Sequence, residues 1–155
     1  MPPVGIALGS NLGDRRSHLD SAVASLGAVL ADLRASGVFE TEPVAVVGRQ
    51  GPFLNAAVAG AFQGTARELL ATLLALERQH GRERPHAGAA RTLDLDLIFF
   101  GEERVDEPGL VIPHPRFRDR RFVLEPLAEV APDWRDPVTG LTVLELLARL
   151  PQPRP

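Results

Sequence analysis

Two carboxylates separated by one leucine, Asp94 and Asp96, lie inside the otherwise apolar run from Thr92 to Phe100. The run reads as a strand. A strand's period of two sends both carboxylates to one face and Leu93, Leu95 and Leu97 to the other. Two like charges side by side are costly to half-bury unless a cation lies between them. Magnesium takes one or two protein carboxylates and completes its octahedron with water and substrate phosphates, so D-x-D can form the floor of a nucleotide site. The alternative is a polar outer face on a two-layer protein, since antiparallel sheets commonly leave one face wet.

Anion-binding residues surround that strand. Arg82, Arg84 and Arg91 bracket a loop of small residues, Ala87-Gly88-Ala89-Ala90. Guanidinium forks suit phosphate because they stay charged and bind it through paired hydrogen bonds. A solvated Arg-rich loop, or for Arg91 a plain ion pair, is the competing account. A second cluster, Ile112 to Phe122, interleaves basic and aromatic residues in a segment too Pro-rich for a long helix. It suits a nucleotide-contacting loop, or simply a solvated face. His114, between two prolines, fits a general acid, a phosphate ligand or an inert structural histidine equally well. His18, His80 and His86 show no metal spacing and are given no role.

The elements that must position these residues alternate without a repeat. Val4 to Leu8 reads as a strand and Gly9 to Asp14 as a loop, after which Leu19, Ala22, Val23, Leu26, Leu30 and Leu33 fall on one helical face. Ser36 to Glu42 and Phe53 to Phe62 read as strands, separated by a loop with two Gly and two Pro. Thr65 with Glu68 forms a capping box before a Leu-rich helical stripe that Gly81 ends. Beyond the Asp-bearing strand, Val105 to Ile112 is extended and Phe122 to Val130 is a short helix. Thr142 with Glu145 caps a last helix from Val143 to Leu150, and 151–155 is a frayed tail. The order predicts an α+β fold, a ferredoxin-like core of helices on a mostly antiparallel sheet, in a single domain over 1–155.

Composition removes several functions. At 155 residues and 45% hydrophobic content the chain can bury one substantial core. It has no Cys, which excludes disulfides and thiolate chemistry and suits the cytoplasm. All 17 basic residues are Arg, so a Walker A loop, a Schiff-base enzyme and a protein kinase each lack a required lysine. A net charge of -3 argues against a general nucleic-acid binder, and no apolar run is long enough for a membrane span.

Gly9-Ser10-Asn11-Leu12-Gly13, Phe53 to Val58, Glu77 through Arg82, Arg91 to Asp96, and Pro113-His114 followed by Arg120 and Phe122 together resemble 6-hydroxymethyl-7,8-dihydropterin pyrophosphokinase. The resemblance runs from the first strand to about Pro132. It implies transfer of the β,γ-pyrophosphoryl group of ATP to the hydroxymethyl group of the reduced pterin, releasing AMP, in folate biosynthesis. It implies that Asp94 and Asp96 hold two Mg ions. It further implies that Phe53 and Phe122 sandwich the pterin, with Asn55 and the backbone near Thr41 and Val44 reading its edge. By the same resemblance Arg82 and Arg91 would stabilise the transferred charge, and Glu77, Arg84, His114 and Arg120 would contact ATP.

The chain departs from the family pattern in the loop after Arg84, which lacks the usual Trp and is one residue shorter, and at Val111 and Pro115. The expected partners are the two small-molecule substrates, with no nucleic acid, no membrane and a monomeric state. Another Mg-dependent nucleotidyl or phosphoryl transferase or hydrolase would share the D-x-D and the arginines, but would not need Phe53, Asn55 and Phe122 as a slot. A non-catalytic ferredoxin-like ligand-binding module is the other alternative, and an RNA-binding version of it would want aromatics on adjacent strands in a basic field, which this Tyr-free chain of net charge -3 lacks.

Overall fold

The structure, a computed structural model, describes residues 1–11, 14–41, 53–80 and 93–151. A sheet is built from β1 (Pro3–Ser10), β2 (Ala31–Ala35), β3 (Phe39–Thr41), β4 (Phe53–Ala61) and β5 (Asp94–Phe100), in the order β2-β4-β1-β5, with β3 also on β4. Every pairing is antiparallel. α1 (Arg15–Gly27) and α2 (Ala66–Gln79) connect the strands, giving the expected ferredoxin-like core. A small hairpin, β6 (Val105–Glu107) and β7 (Leu110–Ile112), then leads to α3 (Arg121–Val130) and α4 (Val143–Arg149).

Alternation along the strands feeds two cores. Ile6, Leu8, Val58 and Leu95 point to one face, where Leu19 and Leu26 of α1 and Leu69 and Leu73 of α2 cover them. Ala7, Ala57 and Ala59 point to the other face, where small side chains let Val123, Leu124 and Leu127 of α3 come close. Helices therefore lie on both faces of the sheet.

A bulge in β5 adjusts this pattern: Gly5 pairs with Phe99 but Ile6 pairs with Leu97, so Ile98 has no partner on β1. Leu97 and Phe100 thus share the first core although three residues apart, and Ile98 and Phe99 both enter the second. Gly5 is what allows it, because a Cβ there would collide with the Phe99 ring.

Both capping boxes exist as expected, Thr65 with Glu68 and Thr142 with Glu145. The helical face projected through Leu33 does not. α1 stops at Gly27, and Leu33 lies on β2. Leu30 and Leu33 still pack into the core that α1 faces, so the apolar period continued across a helix-to-strand change. The strand expected from Ser36 is confined to Phe39–Thr41, with Glu42 outside the described residues. β1 continues through Gly9 and Ser10, where the sequence predicts a loop. Among the described residues no helix is long and apolar enough to cross a membrane.

Candidate active site

Strand register brings the predicted residues to one end of one face. Asp94 pairs with Gly9, Gly9 with Asn55 and Asn55 with Phe39, so these four form a single row across the sheet. Directly cross-strand residues point to the same side. The neighbouring rows add Asp96 opposite Ala7 and Phe53 opposite Thr41. Strands lie about 4.8 Å apart, so Asn55 and Asp94 are separated by about 10 Å of backbone. Only Gly9 stands between them, and a Cβ there would lie 3.5 Å from Asn55 Oδ1 and 3.7 Å from Phe53 Cδ1. The absent side chain leaves a hollow between the amide and the carboxylate.

Asn55 is buried, and its Nδ2 donates to Thr41 Oγ1 at 2.7 Å. That bond fixes the amide plane and leaves Oδ1 to face the hollow beside Gly9. Thr41 therefore acts here through its side chain as well as through any backbone contact. Ser10, completely buried at the end of β1, has no hydrogen-bond partner for its Oγ among the described residues.

Asp94 and Asp96 are half-buried on the face opposite Leu93 and Leu95, as their alternation requires. Among the described residues no group of three or more His, Asp or Glu side chains converges as a closed metal cage. A pair of carboxylates is the donor set that magnesium shares with phosphate and water. Between the two, the Leu95 N–H donates to Glu77 Oε2 at 2.8 Å. Glu77 is buried and reaches β5 from the last turns of α2, so its described contact is with the strand backbone.

His114 is tied to the same strand, its N–H donating to Ile98 O at 2.8 Å. Burial, and then the charges of Arg120 and Arg116, lower its pKa, which keeps the imidazole neutral at pH 7. Its Nδ1 accepts the Arg116 N–H at 3.2 Å. Phe122 stands exposed on the first turn of α3, the helix whose Val123 and Leu124 pack over Ala7 and Ala57. The Arg120 guanidinium lies 5.5 Å from its ring centroid. Arg82, Arg84, Arg91 and Val44 lie outside the described residues.

Sequence reasoning passed over Phe39 and two side-chain pairs. Phe39 shares the site row, a position its alternation with Glu40 could have signalled. His18 and His80 meet Nδ1 to Nδ1 at 3.0 Å, joining α1 to the C-cap of α2, with the proton's owner depending on tautomer. Arg118 and Asp136 form a bidentate pair. These last four residues are too far apart in sequence for spacing to reveal.

Residues 5–132 match the model of the 7,8-dihydro-6-hydroxymethylpterin-pyrophosphokinase family. The chain is similar to the 2-amino-4-hydroxy-6-hydroxymethyldihydropteridine pyrophosphokinase of Synechocystis sp., 39% identical over 94% of this chain and 74% of that protein. The Bacillus subtilis enzyme of the same name is 42% identical over 81% of this chain and 75% of its own. In fold it is similar to Plasmodium falciparum HPPK-DHPS, with a TM-score of 0.72 at 13% identity over 95% of this chain. It spans 44% of that longer protein. The chain belongs to the 7,8-dihydro-6-hydroxymethylpterin-pyrophosphokinase family.

Proposed function

We propose that this protein transfers the β,γ-pyrophosphoryl group of ATP to the hydroxymethyl oxygen of 6-hydroxymethyl-7,8-dihydropterin. The hydroxymethyl oxygen forms a bond to the β-phosphorus as the bond from that phosphorus to the α-β bridging oxygen breaks. The departing electron pair stays on the α-phosphate, giving AMP, and the hydroxyl proton leaves to solvent. Membership of the family supports this reading. The observation that carries it is the row Phe39, Asn55, Gly9, Asp94, in which an oriented amide and a carboxylate flank a hollow without a side chain.

In this reading Phe53 and Phe122 stack on the pterin faces while Asn55, held by Thr41, hydrogen-bonds its edge, with the Val44 backbone beside it. A flat heterocycle needs both kinds of contact. Asp94 and Asp96 would hold two Mg ions. When bound, these neutralise phosphate charge and orient the attacking and leaving oxygens. Glu77, Arg84, His114 and Arg120 bind ATP, and Arg82 and Arg91 match the charge that develops on the transferred group. The reading needs no dedicated base, since phosphoryl transfer rests on positioning and charge neutralisation. In this reading the protein is a monomer with a single pyrophosphokinase domain.

The test is a coupled assay of Mg-ATP with and without the hydroxymethyl-dihydropterin. Pterin-dependent AMP release is expected. Pterin-independent ADP or phosphate would indicate a hydrolase, and free pyrophosphate a nucleotidyl transferase.

A further inference from the structure

Four guanidinium groups, Arg116, Arg118, Arg120 and Arg121, crowd into six residues between His114 and Phe122. Arg118 differs from its neighbours. Its Nε donates to Asp136 Oδ2 at 2.6 Å and its Nη2 to Oδ1 at 2.9 Å. Asp136 is completely buried and also accepts the Val138 N–H at 3.0 Å and the Thr139 hydroxyl at 2.7 Å. Its own N–H donates to Leu141 O, and its carbonyl accepts from the Gly140 N–H, both at 2.8 Å. The carboxylate is thus built into a closed turn.

The flanking residues grip the same region. Phe117, completely buried, meets Trp134 edge-on with centroids 6.1 Å apart, and Trp134 stacks on Phe99 at 4.0 Å. Arg121 Nη2 donates to Pro151 O at 2.8 Å. Residues 117, 118 and 121 therefore all hold the segment after residue 132, which lies beyond the family match over 5–132.

We infer that Asp136 is a positioning residue for the transfer reaction, acting through Arg118 to fix the backbone that presents Arg120 to the nucleotide and Phe122 to the pterin. This rests on the roles given to Arg120 and Phe122 above. A bidentate fork fixes orientation as well as distance, which a single hydrogen bond does not. It also occupies one of four crowded like charges. Without Asp136, Arg118 would be free to compete with Arg120 for phosphate.

The experiment compares Arg118→Gln, Arg118→Lys, Asp136→Asn and the Arg118→Gln/Asp136→Asn double variant with the parent protein. Trp134 is the sole tryptophan, so its fluorescence reports whether the anchoring core is intact at the assay temperature. In variants with parental fluorescence, KM for both ATP and pterin should rise about tenfold, the scale of a hydrogen bond to a charged group, with kcat changing less. The double variant should be no worse than either single one, and Arg118→Lys should recover only part of the loss because an ammonium cannot form the fork. Asp136→Asn could fail to fold, so the partly exposed Arg118 carries the test from the other side. Parental KM values in folded Arg118→Gln, or additive losses in the double variant, would overturn the inference. Arg120→Ala and Phe122→Ala serve as controls. If they too leave KM unchanged, the underlying site reading fails as well; if they raise it while Arg118→Gln does not, this inference alone fails.

Discussion

Glu77 Oε2 accepts the backbone N–H of Leu95 at 2.8 Å, which places a buried carboxylate of α2 between the two aspartates of β5. β5 is an edge strand, so this bond replaces a missing neighbour. Glu77→Ala should cost ~1–3 kcal/mol of unfolding free energy, the penalty for leaving a buried N–H unsatisfied, as measured by urea denaturation. Loss of affinity for an ATP analogue at unchanged stability would instead mark Glu77 as a nucleotide ligand only.

Removing either carboxylate of the pair should stop the chemistry and leave the fold. Asp94→Ala or Asp96→Ala is expected to abolish pterin-dependent AMP release, since each removes a ligand from a site completed by phosphates and water. Both side chains lie on the face away from Leu93 and Leu95, so the core beneath those leucines is untouched. Turnover near the parental rate in either variant refutes the metal assignment.

Pterin and nucleotide binding should separate by residue. Phe53→Ala and Phe122→Ala should each weaken pterin binding by ~1–3 kcal/mol, the scale of base stacking on an aromatic, and spare Mg-ATP. Asn55→Ala should do likewise through loss of its hydrogen bonds. Calorimetric titration with pterin and with a non-hydrolysable ATP analogue checks this. A fall in ATP affinity with pterin affinity intact means the slot is elsewhere.

Gly9→Ala tests the hollow itself. The added methyl would make ordinary van der Waals contacts with Asn55 and Phe53, so the melting temperature should hold. Pterin affinity should still fall, because the methyl fills space the ligand needs. Unchanged affinity would show that the ring lies away from Gly9.

Acid should loosen the segment after residue 132 through Asp136. Burial alone would raise its pKa, but hydrogen bonds from Arg118, Thr139 and Val138, with the Arg118 charge, outweigh that and lower it to about 2. A folded-state pKa below the unfolded value contributes stability that is full above about pH 4 and lost as pH falls towards 2, worth about 2 kcal/mol. The stability gap between the parent and Asp136→Asn should therefore shrink over that interval in denaturation curves. A gap constant from pH 5 to pH 2 would show that the pair contributes no such linkage.

Local rules sufficed wherever the cause was local. Thr65 and Glu68, or Thr142 and Glu145, meet within one helical turn, so both capping boxes could be read from spacing. Alternation in the run from Leu93 to Leu97 likewise put Asp94 and Asp96 on one face before any partner strand was known. Tertiary structure alone decided what lies across from them. Register, which depends on how β1, β4 and β5 align over both cores, brought Gly9 and Asn55 into the row of Asp94. The same long-range packing turned Leu33 from an apparent helical position into strand β2, since a partly buried leucine serves either element. Pairings such as Arg118 with Asp136 and Glu77 with Leu95 join residues 18 apart, a spacing at which no periodic pattern survives the intervening turns.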